Sequence, residues 1–133
     1  MTYSYPLTII ERHLDTFGHV NNAVYLEIFE EARWSIINGN GYGMQKIKET
    51  GLGPVILEIQ MRFLRELKLH EKVIVKSEAM SYKGKIGLFL QWMENEAGER
   101  CCEADFKIGL FDLKKRRLVP PTPEWSKAIG LNQ

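Results

Sequence analysis

Only once in this chain does a long stretch carry apolar residues at a helical spacing. From residue 23 to 39 (AVYLEIFEEARWSIING), Leu26, Phe29, the Arg33 stem, Ile36 and Ile37 recur every three to four residues. Tyr25, Ile28 and Ala32 add an adjoining stripe. Beyond residue 55 the period switches to two. In 55–65 (VILEIQMRFLR), Val55, Leu57, Ile59, Met61 and Phe63 are expected on one face and Glu58, Gln60 and Arg62 on the other. Strands are also expected at 72–82, 86–93 and 100–111, joined by YKGK and ENEAGE turns, and a first strand at 5–12. Connections this short force antiparallel pairing, because a parallel crossover needs a dozen or more residues. One long helix against one antiparallel sheet is a two-layer α+β domain. The helix is more apolar than one flat face requires, so a sheet curled around it is expected, with the helix packed on more than one side.

Local signals refine this layout. Asn21 or Asn22 can cap the helix, and Gly39 with Gly41 can stop it. GMQKIKET is a candidate short helix ended by Gly51, Gly53 and Pro54. The segment LKKRRLVPPTPEWSKAIG reads as a turn and a short tail with a helical turn at 124–129, its basic run Lys114–Arg117 a solvated turn. The 133 residues fit one domain, 1–133, with its core at about 5–112.

Charge narrows the partners. Eighteen basic residues against 17 acidic leave a net +1, which gives no electrostatic reason to expect nucleic acid. No window is apolar enough to span a membrane, and MTYSYPLTIIERHLD has neither a basic leader nor a cleavage site, so a cytoplasmic protein is expected. Adjacent Cys101 and Cys102 point to opposite faces of an extended segment, so they are expected as reduced core or interface residues. Three scattered histidines make no ligand set, and neither metal nor redox cofactor is expected.

The stretch Asp15-Thr-Phe-Gly18-His19-Val20-Asn21-Asn22-Ala-Val-Tyr25, followed by Glu30, Ala32 and Arg33, resembles the signature of hot dog-fold thioesterases of the 4-hydroxybenzoyl-CoA thioesterase type. Its H-V-N-N form is also similar to the loop of acyl-ACP thioesterases. EIQMRFLRELKLHEKVIV resembles the family's run of strand, Y/F-L-R-P, short turn and strand, so the likeness covers about residues 5 to 112. The resemblance implies a hot dog fold, in which a five-stranded antiparallel sheet wraps a long central helix. It also implies a homodimer or dimer-of-dimers tetramer with sites between chains, and hydrolysis of an acyl-CoA, or alternatively an acyl-ACP, to free acid and thiol. Two further readings on this fold are an enoyl-thioester hydratase or dehydratase and a non-catalytic acyl-thioester binding dimer.

Residue by residue, Asp15 is by itself an Asx-turn former. By resemblance it is the catalytic carboxylate, acting as general base or direct attacker. His19 is either a loop histidine or a partner of that carboxylate. Asn22 falls where the family's polarising backbone N–H lies, and a helix N-terminus suits an oxyanion. Gly18 would let the loop turn. Tyr25 either packs the helix or contacts substrate. Glu30 and Arg33, an i,i+3 pair, suit a partly buried structural ion pair. Arg62, Arg65, Lys83 and Lys85 either solvate a sheet edge or meet the phosphates of CoA. Phe17, Leu26, Phe29 and Phe63 could line an acyl tunnel or simply pack the core.

Overall fold

The computed structural model describes residues 1–131. Its elements are β1 (Thr2–Thr8), a 3₁₀ turn at Glu11–His13, α1 (Asn22–Gly39), α2 (Met44–Thr50), β2 (Leu52–Phe63), β3 (Lys72–Lys83), β4 (Ile86–Glu94), β5 (Arg100–Asp112), β6 (Arg117–Val119) and α3 (Pro123–Ala128). The sheet is antiparallel, in the order β1-β3-β4-β5-β2, with β6 pairing β5. This is the hot dog arrangement, with α1 lying against the sheet. The expected five strands become six, because Arg117 leaves the basic turn to begin β6.

The core forms where the helical stripe meets one face of the sheet. Tyr25, Ile28, Phe29, Ala32, Ile36 and Ile37 of α1 are buried. They meet Val73 and Val75 of β3, Phe89 and Met93 of β4, and Ala104, Phe106, Ile108 and Leu110 of β5. Phe29 meets Phe106 edge-on with centroids 6.0 Å apart. Glu27, Glu30 and Glu31 are exposed, so within one chain α1 stays open on the side away from the sheet.

A polar link crosses this apolar layer. The buried Gln91 amide donates to the Phe29 carbonyl and to Ser77 Oγ, both at 3.0 Å. Its Oε1 accepts from Arg33 Nη1 at 2.9 Å, and the guanidinium carbon sits 4.5 Å from the Phe106 ring centre. Arg33 therefore turns inward to Gln91, and the expected Glu30 ion pair does not form. The reason is the stripe: Arg33 shares the buried face, whereas Glu30 points to solvent. Burial lowers the guanidinium to about 10, still cationic at neutral pH.

The long strands differ in phase from the sequence pattern. β2 begins at Leu52 and runs through Gly53 and Pro54, and a bulge between Ile56 and Glu58 leaves Leu57 unpaired. Ile56 thus pairs Ile108 on the helix side, while Val55, opposite Gly109, faces away. Past the bulge Ile59, Met61 and Phe63 return to the helix side. The C-terminal segment is no loose tail: Trp125, Ala128 and Ile129 are buried, and Trp125 meets Tyr42 edge-on at 5.5 Å. Among the described residues no helix is long and apolar enough to cross a membrane.

Candidate active site

The loop 14–21 is a closed turn delivering the chain to α1. Leu14 and Val20 form an antiparallel bridge, Asp15 N donates to His19 O at 2.9 Å, and Gly18 N donates to Asp15 O at 3.2 Å. Gly18 closes the turn at φ +80°, a left-handed conformation that an L side chain adopts only at a cost. Two further bonds hold the loop: Asn21 N donates to His13 O, and Val20 N donates to Leu67 O in the β2–β3 connection.

Asp15 spends only one oxygen on this turn. Oδ1 accepts from Phe17 N at 2.8 Å and, more weakly, from His19 N at 3.4 Å. Among the described residues Oδ2 has no partner, so the Asx-turn and the general-base reading use different atoms of one carboxylate.

The helix start divides its donors in a similar way. Asn21, not Asn22, is the cap: its side chain accepts from Ala23 N at 2.9 Å, and its carbonyl accepts from Val24 N. The Asn22 N–H is left without a partner among the described residues, at the positive end of α1. Since Asn21 carries the cap, Asn21→Ala is expected to destabilise the fold by about 1 kcal/mol. Asn22→Ala should leave stability within about 0.5 kcal/mol, as a surface change away from any cap. Chemical denaturation of both variants measures the contrast.

Asp15, His19, Val20, Asn22, Tyr25, Phe63, Leu64, Arg65 and Glu66 line one cavity of about 360 Å³. Tyr25 and Phe63 meet edge-on at 5.3 Å. Burial pushes the Tyr25 phenol up to about 12, with the Leu67 backbone N–H pulling the other way, so it stays neutral. Cys102, the pairing neighbour of Phe63, is a free buried thiol raised to about 12, chiefly by burial, and is therefore no nucleophile at neutral pH. Arg65 lies at the rim, 3.0 Å from Glu99.

The cavity thus gathers Asp15, His19, Asn22, Tyr25 and Arg65. Gly18 acts through the turn rather than the lining. Arg62 lies on the outer face of the sheet, held by Glu103 and Asp105. Lys83 ends β3 and Lys85 sits in the β3–β4 turn: neighbouring Gly87 pairs with Ile108, whereas Phe63 pairs with Cys102. That turn lies roughly 20 Å further along β5 at ~3.3 Å per residue. Of the four expected tunnel residues only Phe63 lines the cavity; Phe29 is core, Leu26 half-buried, and Phe17 is 82% exposed at the loop tip. Glu66 is a polar lining residue that sequence reasoning missed, and its Oε2 pairs with His19 Nε2. The signal was a Glu where the family's Y/F-L-R-P stretch carries proline.

A larger groove of about 550 Å³ runs along Pro6–Thr8, Lys72–Ile74 and the 94–98 turn. It holds Lys72, Glu94 and Glu96 but no histidine and no helix start.

Known proteins share this chain's pattern. A model of the thioesterase-like superfamily matches residues 11–129. FadM of Escherichia coli, a long-chain acyl-CoA thioesterase, is 31% identical over 108 residues, covering 80% of this chain and 81% of FadM. YbgC of Haemophilus influenzae, an acyl-CoA thioesterase, is 28% identical over 119 residues, covering 88% of this chain and 86% of YbgC. The crystal structure of YbaW, a probable thioesterase from Escherichia coli, superposes with a TM-score of 0.85 at 26% identity, covering 96% of each chain.

Proposed function

This chain belongs to the thioesterase-like superfamily and is a thioester hydrolase acting on acyl-CoA; from that premise we propose that Asp15 is the general base and the Asn22 backbone N–H the oxyanion donor. One observation carries the assignment: a carboxylate whose Oδ2 and a helix start whose N–H have no partner among the described residues line the same cavity. Asp15 Oδ2 takes a proton from water as the water oxygen adds to the thioester carbonyl. The carbonyl oxygen gains charge, which the Asn22 N–H and the α1 dipole stabilise. The C–S bond then breaks, and the thiolate recovers the proton from Asp15. Tyr25 and Phe63 offer the acyl group an aromatic wall.

Incubating the protein with acyl-CoA esters of graded length and with aryl-CoA, in the presence of a thiol-reactive dye, tests this directly. Thiol release on at least one ester is expected. Loss of enoyl absorbance without thiol release would identify a hydratase, and binding without either signal a non-catalytic carrier. Repeating the best acyl group on acyl carrier protein separates the two carriers.

The active unit in this proposal is a homodimer. β2 is an edge strand that carries exposed Leu57, Ile59 and Phe63, followed by Leu64. An apolar, unpaired edge is a template for another chain unless covered. Light scattering at micromolar concentration should return a dimer or a dimer of dimers, and a stable monomer would overturn this.

A further inference from the structure

The contact between Glu66 and His19 is not explained by surface stability. Both side chains are about half exposed, 54% and 46%, and an ion pair so placed adds little to stability. Both nevertheless line the cavity that holds Asp15 and the Asn22 N–H. The segments that carry them are already joined, since Val20 N donates to Leu67 O one residue further along each. On the other side of that segment, Leu64 N and Arg65 N donate to Cys101 O at 2.8 and 3.0 Å, anchoring the loop to the sheet. His19 is held in turn by its own backbone, whose N–H and carbonyl both bond to Asp15. Glu66 therefore reaches His19 from a fixed platform, and His19 is fixed to the base.

A carboxylate at Nε2 holds a proton on that nitrogen, because two acceptors cannot share a bond without one, and in the neutral ring the other nitrogen is then an acceptor. The bond made by one ring nitrogen sets the state of the other. We propose that Glu66 is a positioning residue for thioester hydrolysis: by accepting the Nε2–H of His19, it fixes the imidazole in the cavity wall and leaves Nδ1 as the acceptor that orients the attacking water. The inference rests on this cavity being the thioester site. Bonds and protons balance without any net change at His19. One water hydrogen rests on Nδ1 as a hydrogen bond, while the other transfers to Asp15 Oδ2 as the O–C bond forms. When the C–S bond breaks, the thiolate takes the Asp15 proton. Orientation of this kind is lost when the ring can rotate, since small misplacement of a reacting atom is costly.

The test is a double-mutant cycle on acyl-CoA hydrolysis, read beside histidine side-chain 15N NMR of the same proteins. Glu66→Ala and His19→Ala are each expected to lower kcat about tenfold with KM changed less than about twofold. The double variant should be no slower than His19→Ala, because Glu66 acts through His19. Glu66→Gln should recover most of the turnover, since its amide oxygen still accepts from Nε2–H. In the NMR spectrum, the wild-type preference for a proton on His19 Nε2 should weaken in Glu66→Ala and persist in Glu66→Gln. Losses that multiply in the double variant, or a His19 signal unmoved by Glu66→Ala, would overturn the proposal. The NMR arm does not depend on turnover. A failure of the base assignment, seen in Asp15→Asn, is therefore distinguishable from a failure of the positioning role.

Discussion

Replacing Asp15 with Asn is expected to lower kcat/KM on the best acyl-CoA by at least about a hundredfold, the lower bound for losing a general base. The substitution separates the two jobs of this side chain. Asn retains an Oδ1 that can accept from Phe17 N, so the Asx-turn and the path into α1 should survive. Oδ2, the atom with no partner among the described residues, becomes an amide nitrogen that cannot take a proton from water. Circular dichroism and sizing should match the wild type, so the loss reads on chemistry rather than folding. Near wild-type turnover would place the base elsewhere, with His19 or Glu66 next in line, because both share the cavity.

The second large effect is expected from Asn22→Pro. Proline has no N–H, and the first helical position is the one place in a helix where it is well tolerated. Asn22 is that position in α1, and the preceding Asn21 is already extended, with φ −62° and ψ 140°, as a residue before proline must be. The helix, its cap from Asn21 to Ala23 and the dipole should therefore persist, while the proposed oxyanion donor disappears. Removing one such donor costs about 10²- to 10³-fold in kcat. Asn22→Ala keeps the N–H and should stay within about threefold of wild type, well short of the loss of a donor. If the proline variant hydrolysed acyl-CoA at nearly the wild-type rate, the oxygen would be polarised by another group. If the alanine variant lost turnover with its fold intact, that group would be the Asn22 amide side chain.

The parts of this molecule legible in sequence are those whose cause is local. The α1 period, the Gly51 left-handed helix end and the Asn–Asn cap depend on neighbours a few residues apart, and they lie where the pattern puts them. The placement of Asp15 and Asn22 beside one cavity has an equally local cause, since one turn and one helix start hold both. Misreadings cluster where the sheet decides. Gly53 and Pro54 look like a stop, yet β2 runs through them because an edge strand can leave the proline nitrogen unpaired. The same allowance seats Pro6 within edge strand β1, while Ile9 and Ile10, expected to extend that strand, instead lead into the 3₁₀ turn. Val75 is fully buried because β3 turns it toward Tyr5 and Met93 on the helix side, a facing set by its partner strands. Glu66 reaches the cavity only through tertiary folding, which no local pattern reports. Within one chain Lys83 and Lys85 lie away from it, because a hairpin sends its turn to the far end of the sheet.

Leu57 has a match in β3, where Met80 stands outside the ladder between Ala79 and Ser81. Both bulged residues are apolar and exposed, at 42% and 48%, and neither holds a partner strand in register. Deleting either one would leave every other residue facing as it does now, since the pairs on both sides become neighbours in an unbroken ladder. Such a deletion would instead remove local twist, which a bulge intensifies. Chain length at these two points is thus uncoupled from which side chains face the helix and coupled to how tightly the sheet curls. A single-residue loss at 57 or 80 should appear as a change in the room available to the acyl group, not as a misfolded protein.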